Sequence, residues 1–203
     1  MKEHSNRSLT YSDYLELLDR LLDENKTTGN DHSGAMVGYG RLNRARMRRL
    51  DNTIEIDTRV RDSVAQLDVD WMWLVITEGW CGDAAQNIPV IEKVAAANPG
   101  IETRYILRDE NPALMDQFLT NGARSIPKLI AIDRKSGRVL GTWGPRPGAA
   151  QQLFDEQKSA GTNKPLLMEN LQRWYHRDRG RSLQAELADL CAWWAQANYA
   201  LAA

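Results

Sequence analysis

The stretch Trp71-Met72-Trp73-Leu74-Val75-Ile76-Thr77 is followed at once by Glu78-Gly79-Trp80-Cys81-Gly82-Asp83-Ala84-Ala85. A continuous apolar run of this length, ended by turn residues, reads as a β-strand covered on both faces. Gly79 to Gly82 reads as a turn and Ala84 to Ala97 as a helix, with Pro89 inside it predicting a kink. Asn98-Pro99-Gly100 ends that helix. Cys81 therefore falls where a buried strand ends and a helix begins. The first backbone N–H groups of a helix are unpaired and its dipole is positive there, and both favour a thiolate over a thiol. Most isolated cysteines are inert small hydrophobes; the strand–turn–helix placement makes this one a candidate nucleophile.

Working outward, Ile101 to Leu107 reads as a second strand, Pro112 to Thr120 as a helix, and Asn121-Gly122 as its stop. Lys128 to Ile132 and Arg138 to Trp143 flank Asp133-Arg134-Lys135-Ser136-Gly137, the pattern of a hairpin. Strand, helix, strand, helix, hairpin predicts an α/β or α+β sandwich with a mixed sheet. Before it, Ser8 to Asn25 has a helical stripe of Tyr14, Leu17, Leu18, Leu21 and Leu22, with Thr10 and Asp13 as a capping box. A loop-rich break near residues 25–38 precedes helices over Tyr39–Leu50, with Leu42, Met47 and Leu50 inward, and Asp57–Leu67, with Val60, Val64 and Leu67 inward. After the hairpin, Ala149 to Ser159 is helical, and Pro165 opens a helix that buries Leu167, Leu171 and Trp174 and stops at Gly180. Ser182 is placed to cap a last helix whose stripe is Leu183, Leu187, Leu190, Cys191 and Trp194. The expected organisation is one domain over 1–203, with an N-terminal helical extension (1–69), a core (70–148) and C-terminal helices (149–203).

The chain has 203 residues, 42% apolar and 26% charged, with a formal net charge of −1. These are the proportions of an ordinary globular protein with one sizeable core. The near-zero charge lacks the electrostatic footprint of a nucleic-acid binder, so no nucleic-acid partner is expected. No apolar run reaches the 18–20 or so residues that span a bilayer, so no membrane association is expected. Met1 to Arg7 lacks a signal-peptide core, and two cysteines do not make a disulfide scaffold, which together point to the cytoplasm. Seven Trp against two Phe is unusual. Buried indoles need hydrogen-bond partners, so some are expected on a partly wet surface.

Several strings together resemble the thioredoxin superfamily. Trp80-Cys81-Gly82 matches the start of its W-C-G-P-C active site, and Pro89 stands where the family carries a helix-kinking proline. Asn111-Pro112 opens the next helix, Ser125-Ile126-Pro127-Lys128 matches the cis-proline segment, and Gly144 follows the final hairpin. The match runs from about residue 70 to 145. More narrowly, G-W-C-G-D-A, S-I-P-K and the Trp143-Gly144-Pro145-Arg146-Pro147 run resemble a bacterial thioredoxin-like group. The resemblance implies a thioredoxin-like three-layer sandwich with helical extensions at both ends. It implies Cys81 as the redox residue, Ile126 and Pro127 as the groove that holds an extended substrate through its backbone, and Trp80 and Gly82 as its rim. It also implies a cis bond before Pro127.

The departures are equally informative. The family's resolving cysteine corresponds to Ala84, its motif proline to Asp83, its buried acid to Val75 and the lysine partner of that acid to Tyr105. The Gly-Gly-Cys-Asp type of segment used by glutathione-dependent relatives is missing. A single thiol can do at most monothiol exchange with a protein or low-molecular-weight thiol or disulfide. A carboxylate about 6 Å from the sulfur, at an effective dielectric of about 20, repels a thiolate by about 2.8 kcal/mol, or about two pKa units. Asp83 either tunes the thiol in this way or serves only as a favourable first-turn acid. Two functions follow: monothiol exchange or redox sensing through Cys81, and a non-catalytic thioredoxin-fold binding or scaffold module.

The other features read as structural. Cys191 shares an apolar stripe with Leu187 and Trp194 and reads as core, so no disulfide to Cys81 is expected. Arg41, Arg44, Arg46, Arg48 and Arg49 read as a solvated helix face paired with the acidic stretch 55–62. His4, His32 and His176 are isolated, so no metal site is expected, and no cofactor motif is present.

Overall fold

The computed structural model describes residues 8–202, with side chains through residue 196; His4 and the N-terminal segment read for a signal peptide lie outside the described residues. The sheet has four strands: β1 (Trp71–Thr77), β2 (Ile101–Leu107), β3 (Lys128–Asp133) and β4 (Val139–Trp143). Their order is β2-β1-β3-β4. β1 runs parallel to β2, with Val75 opposite Tyr105, and antiparallel to β3, with Val75 opposite Leu129. β4 pairs antiparallel with β3, with a register shift between Ala131 and Ile132 of β3. All seven residues of β1 are buried, as its unbroken apolar run predicts for a central strand with both faces covered. The result is a mixed α/β fold with flanking helices.

Between the strands lie α4 (Gly82–Ala95), with Pro89 inside it, and the short α5 (Pro112–Met115). Cys81 is the N-cap of α4, which begins two residues ahead of its predicted start. The helix predicted to reach Thr120 stops at Met115, and Thr120 instead bridges to Ala123.

The N-terminal part holds α1 (Tyr11–Asp23), α2 (Gly34–Thr53) and α3 (Thr58–Ala65). The capping box is present: Asp13 N–H donates to Thr10 Oγ1, and Thr10 N–H to the Asp13 carboxylate. Tyr14 of α1 stacks on Tyr105 at 5.3 Å between ring centres, a contact worth about 0.5–1.5 kcal/mol beyond burial. α2 begins at Gly34, five residues earlier than its apolar residues suggest, because Ser33 caps it through Met36 N–H. Its inward face is Val37, Gly40, Asn43, Met47 and Leu50. Leu42, expected inside, is 48% exposed. Glycine and asparagine on the buried face weaken the apolar signal and shift the apparent stripe onto Leu42.

The arginines of α2 do not pair with residues 55–62. Arg44 binds Asp19 of α1 through both Nε and Nη2 at 2.8 Å. Arg41 donates to Leu22 O and Asn25 Oδ1, and Arg46 to Asn43 Oδ1. Arg41 and Arg44 therefore bind α1 and the following loop into place.

The C-terminal part holds α6 (Gly148–Ser159), α7 (Lys164–Asp178) and α8 (Arg181–Ala202). α7 buries Leu167, Leu171 and Tyr175, whereas Trp174, expected inward, is half-buried. Ser182 does not cap α8; its N–H and hydroxyl both donate to the Asp178 carboxylate, which does the capping from the end of α7. Leu183, Leu187, Cys191 and Trp194 of α8 are buried in the same apolar cluster as β1 and α4. Gln184 ties α8 to the α2–α3 connection, accepting from Asp57 N–H at 2.8 Å and donating to Glu55 O at 3.0 Å. Both helical ends are thus bound into the body of the sheet domain.

Trp80 and Trp174 are half-buried and Trp193 is 58% exposed, in line with the partly wet surface expected for some of the indoles, but others are buried without the expected partner. Trp71, Trp73 and Trp194 are fully buried, and their Nε1–H groups have no hydrogen-bond partner among the described residues. They meet edge to face instead, Trp194 against Trp71 at 6.2 Å and against Trp73 at 6.4 Å. Trp143 does find a partner, donating to Glu186 Oε2 at 2.7 Å.

Candidate active site

Cys81 is held by three backbone-directed contacts. Its N–H donates to Glu78 O at 3.1 Å, closing the turn after β1. Its Sγ accepts from Ala84 N–H at 3.5 Å as a helix cap, and its S–H donates to Ile126 O at 3.3 Å. The Ile126–Pro127 bond is cis, as is Gly144–Pro145. The cis-proline segment is therefore in hydrogen-bond contact with the thiol. The turn itself is pinned from the N-terminal side: Gly79 N–H donates to Thr28 Oγ1, and Asn43 Nδ2 donates to Gly79 O.

The groove expected to stay open around Ile126 is closed. Cys81 is 8% exposed, Ile126 is 6% exposed, Pro127 is buried, and the Ile126 carbonyl is occupied by the thiol. Trp80 and Gly82 remain half-buried, with Arg108 over the Trp80 ring at 4.8 Å.

Asp83 is neither solvent-facing nor a simple first-turn acid. It is 5% exposed, with Arg146 Nη2 at 2.7 Å from one carboxylate oxygen and the Tyr175 hydroxyl donating to the other at 3.0 Å. Asn87 Nδ2 donates to Tyr175 Oη at 3.2 Å and to Pro145 O at 3.4 Å. The preceding residue, Gln86, donates from Nε2 to Gln172 Oε1 at 2.7 Å. Arg146, Asn87, Gln172 and Tyr175 are the site residues that sequence reasoning misses. Arg146 carries a signal, since it stands in the Trp143-Gly144-Pro145-Arg146-Pro147 run beside the cis-proline loop. Tyr175 and Gln172 are remote in the chain and carry none.

Two effects compete at the sulfur, and the raising effects win. Burial pushes the Cys81 thiol up from 9.0 to about 12, with the Asp83 carboxylate the next cause; the N–H groups of Ala84 and Asp83 and the Arg146 charge pull the other way. Burial also raises Asp83, opposed by Arg146 and Tyr175. The helix start alone therefore does not produce a thiolate in this closed arrangement. Cys191, buried under α8, is likewise pushed up to about 12 by burial, and both cysteines are free thiols.

Both thiols make stability depend on pH. The folded state holds both thiol protons to about pH 12, whereas unfolded thiols lose theirs near 8.5. The contribution is therefore complete below about pH 8.5 and is lost as pH rises toward 12. Tyr14, Tyr105 and Tyr175, raised by burial, act in the same direction. Denaturation midpoints are expected to fall steadily above about pH 9, and Cys81→Ala with Cys191→Ala should flatten part of that slope. A midpoint unchanged up to pH 11 would contradict it.

At the positions of the family's proton-handling pair, Val75 and Tyr105 face each other in register and are both fully buried. Tyr105 donates its hydroxyl to Glu92 of α4, whose carboxyl burial raises. The acid beside Tyr105 thus comes from α4 and meets a tyrosine cluster of Tyr11, Tyr14 and Tyr105.

The family model for thioredoxin matches residues 29–159. The chain belongs to the thioredoxin family. No curated protein matches it. A protein of unknown function from Pseudomonas aeruginosa is similar in fold, with a TM-score of 0.58 and 20% identity over 93% of this chain and 99% of that one. An HIV epitope-scaffold protein is also similar, with a TM-score of 0.51 and 18% identity over 93% and 96%. Within the thioredoxin family, this chain keeps the cysteine at the first helix start and a proline segment facing it. It replaces the second cysteine by Ala84, 1% exposed, and the intervening proline by the ion-paired Asp83.

Proposed function

We propose that this thioredoxin-family protein carries out monothiol–disulfide exchange through Cys81. The observation that supports it most is the pairing of the Cys81 thiol, at the cap of α4, with the carbonyl of Ile126 ahead of Pro127. In the exchange, the thiol gives its proton to solvent and the thiolate attacks one sulfur of a disulfide. The Cys81–sulfur bond forms as the disulfide breaks, and the other half leaves as a thiolate. An external thiol then attacks the mixed disulfide, which releases Cys81 and leaves a new disulfide. That second step requires a reducing compartment, so the cytoplasm is the proposed location and a protein or small thiol the partner.

The test is incubation of the reduced protein with glutathione disulfide, read by mass spectrometry after digestion. One glutathione on Cys81, removed by excess monothiol, is expected; no adduct on Cys81 under native conditions would refute the exchange. Ala84→Cys supplies a resolving thiol and is expected to raise protein-disulfide reduction several-fold in a dithiol assay.

A second reading, a non-catalytic binding module, is favoured by the 8% exposure of Cys81 and its thiol pKa of about 12. It predicts that Cys81→Ser leaves every cellular interaction of the protein intact, whereas exchange predicts the loss of disulfide-trapped partners.

A further inference from the structure

We infer that the α6–α7 pair, together with Arg146, is a releasable cover over the Cys81 site, latched by a few polar contacts; this rests on the exchange reading and names its regulation. The pair has a small apolar cluster of its own. Ala150, Leu171 and Tyr175 pack with Phe154, Met168 and Trp174, apart from the main core that holds β1, α4 and α8. Arg146 belongs to this unit, since it bonds Gln151 Oε1 at 3.0 Å and lies over the Phe154 ring at 4.1 Å.

The contacts from this unit to the first turns of α4 are polar. Arg146 and Tyr175 meet Asp83, Tyr175 and Pro145 O meet Asn87, and Gln172 meets Gln86. Gln172 Nε2 also sits 3.4 Å from where a side chain on Gly82 would begin. Opening the cover exchanges these hydrogen bonds for bonds to water, whereas opening the main core exposes apolar surface. The first costs far less per contact. Local opening with a lower free energy than global unfolding is the expected behaviour of such a unit.

The ends of the unit are fixed to the body. Gly144 packs its backbone against the Pro127 carbonyl, and Gly180 packs against Val90 of α4. Both have positive φ, at 118° and 75°, a backbone region that glycine enters at little cost. The segment between them can leave the α4 start while its ends remain anchored. α8 stays in place because its apolar stripe lies in the main core.

Cys191 provides an internal control, since it is buried under α8 and outside the cover. In the full-length protein, Tyr175→Phe with Gln172→Ala removes three of the latch bonds without introducing charge. Peptide-resolved iodoacetamide labelling should show Cys81 modified at least tenfold faster than in wild type, with Cys191 unchanged. Loss of the Tyr175 hydroxyl also weakens support of the Asp83 charge, which by itself favours the thiolate. Access is therefore read from labelling together with hydrogen exchange of the variant: faster labelling without faster exchange of the α7 amides would overturn the cover. An unchanged Cys81 rate, or Cys81 and Cys191 accelerating by the same factor, would overturn the cover.

Hydrogen exchange of the wild-type protein gives an independent check. Amides of α7 should exchange at least tenfold faster than those of α4 and α8, and equal protection would overturn the proposal. The two readings separate cleanly. Fast alkylation of Cys81 in the variant without any glutathione adduct refutes exchange and supports the cover. A glutathione adduct forming at the same rate in wild type and variant supports exchange and refutes the cover.

Discussion

Asp83→Asn is expected to lower the thiol pKa of Cys81 and at the same time to destabilise the fold by about 3–5 kcal/mol. The two effects have one origin. Asp83 carries its charge at a site only 5% exposed, and that charge is the second cause, after burial, of the raised Cys81 pKa. Asparagine keeps the shape and removes the repulsion. It also leaves Arg146 without its anion, and Arg146 already acts to lower the thiol pKa. Both changes favour the thiolate, so alkylation near neutral pH speeds up. The cost in stability comes from the same cation, which is 14% exposed and loses a 2.7 Å partner. Removing one member of a buried pair is far more costly than never having built it. The amide oxygen of the substituted side chain can still accept from Tyr175, which puts the loss toward the lower end of that range. The pH dependence of alkylation and a denaturant titration measure the two effects on one sample. A raised thiol pKa would mean that Asp83 assists the thiolate. An unchanged stability would mean that the Asp83–Arg146 contact contributes nothing net.

The reach of the sequence follows from how local each cause is. β1 coincides with its predicted span because a strand buried on both faces writes an unbroken apolar run. β2 coincides too, although Glu102, Thr103 and Arg104 interrupt its apolar residues and are only half-buried. Cys81 at the start of α4 is legible for a related reason: strand, glycine turn and helix are adjacent in the chain. α2 departs from expectation at its start and at Leu42, because its buried face uses Gly40 and Asn43. The cover is not legible. Tyr175 and Asp83 are 92 residues apart, and no periodicity records that a hydroxyl on α7 will reach a carboxylate on α4. The closed groove is equally a tertiary fact, since the motif residues are those of an open one. Asp83 marks the limit well. As a charge near a sulfur it is readable, but its effect depends on Arg146, which folding brings beside it.

Trp194→Ala should cost about 3–5 kcal/mol, the range for deleting a large aromatic from a packed core. Trp194 has no exposed surface and lies edge to face against Trp71 and Trp73, at 77° and 80°. It also lies over Gly141 of β4, where a side-chain carbon would come within 2.2 Å of Nε1. An alanine leaves a cavity between α8 and the centre of the sheet, and the two strand indoles cannot collapse into it without disturbing β1. Trp194→Phe separates packing from polarity. The Nε1–H has no hydrogen-bond partner among the described residues, so phenylalanine retains a ring against both indoles and removes an unmet donor. A cost below about 1.5 kcal/mol is expected for it, since the lost volume and the lost orphan donor oppose each other. Urea titrations of the three proteins test the pair of values. In Trp194→Ala, labelling of Cys191 should rise more than labelling of Cys81, because the cavity opens beneath α8 while the α6–α7 latch is untouched. A loss under about 1 kcal/mol for the alanine variant would show that α8 is an appendage that the sheet can do without. A loss in the expected range makes the last helix part of the domain that holds Cys81 in place.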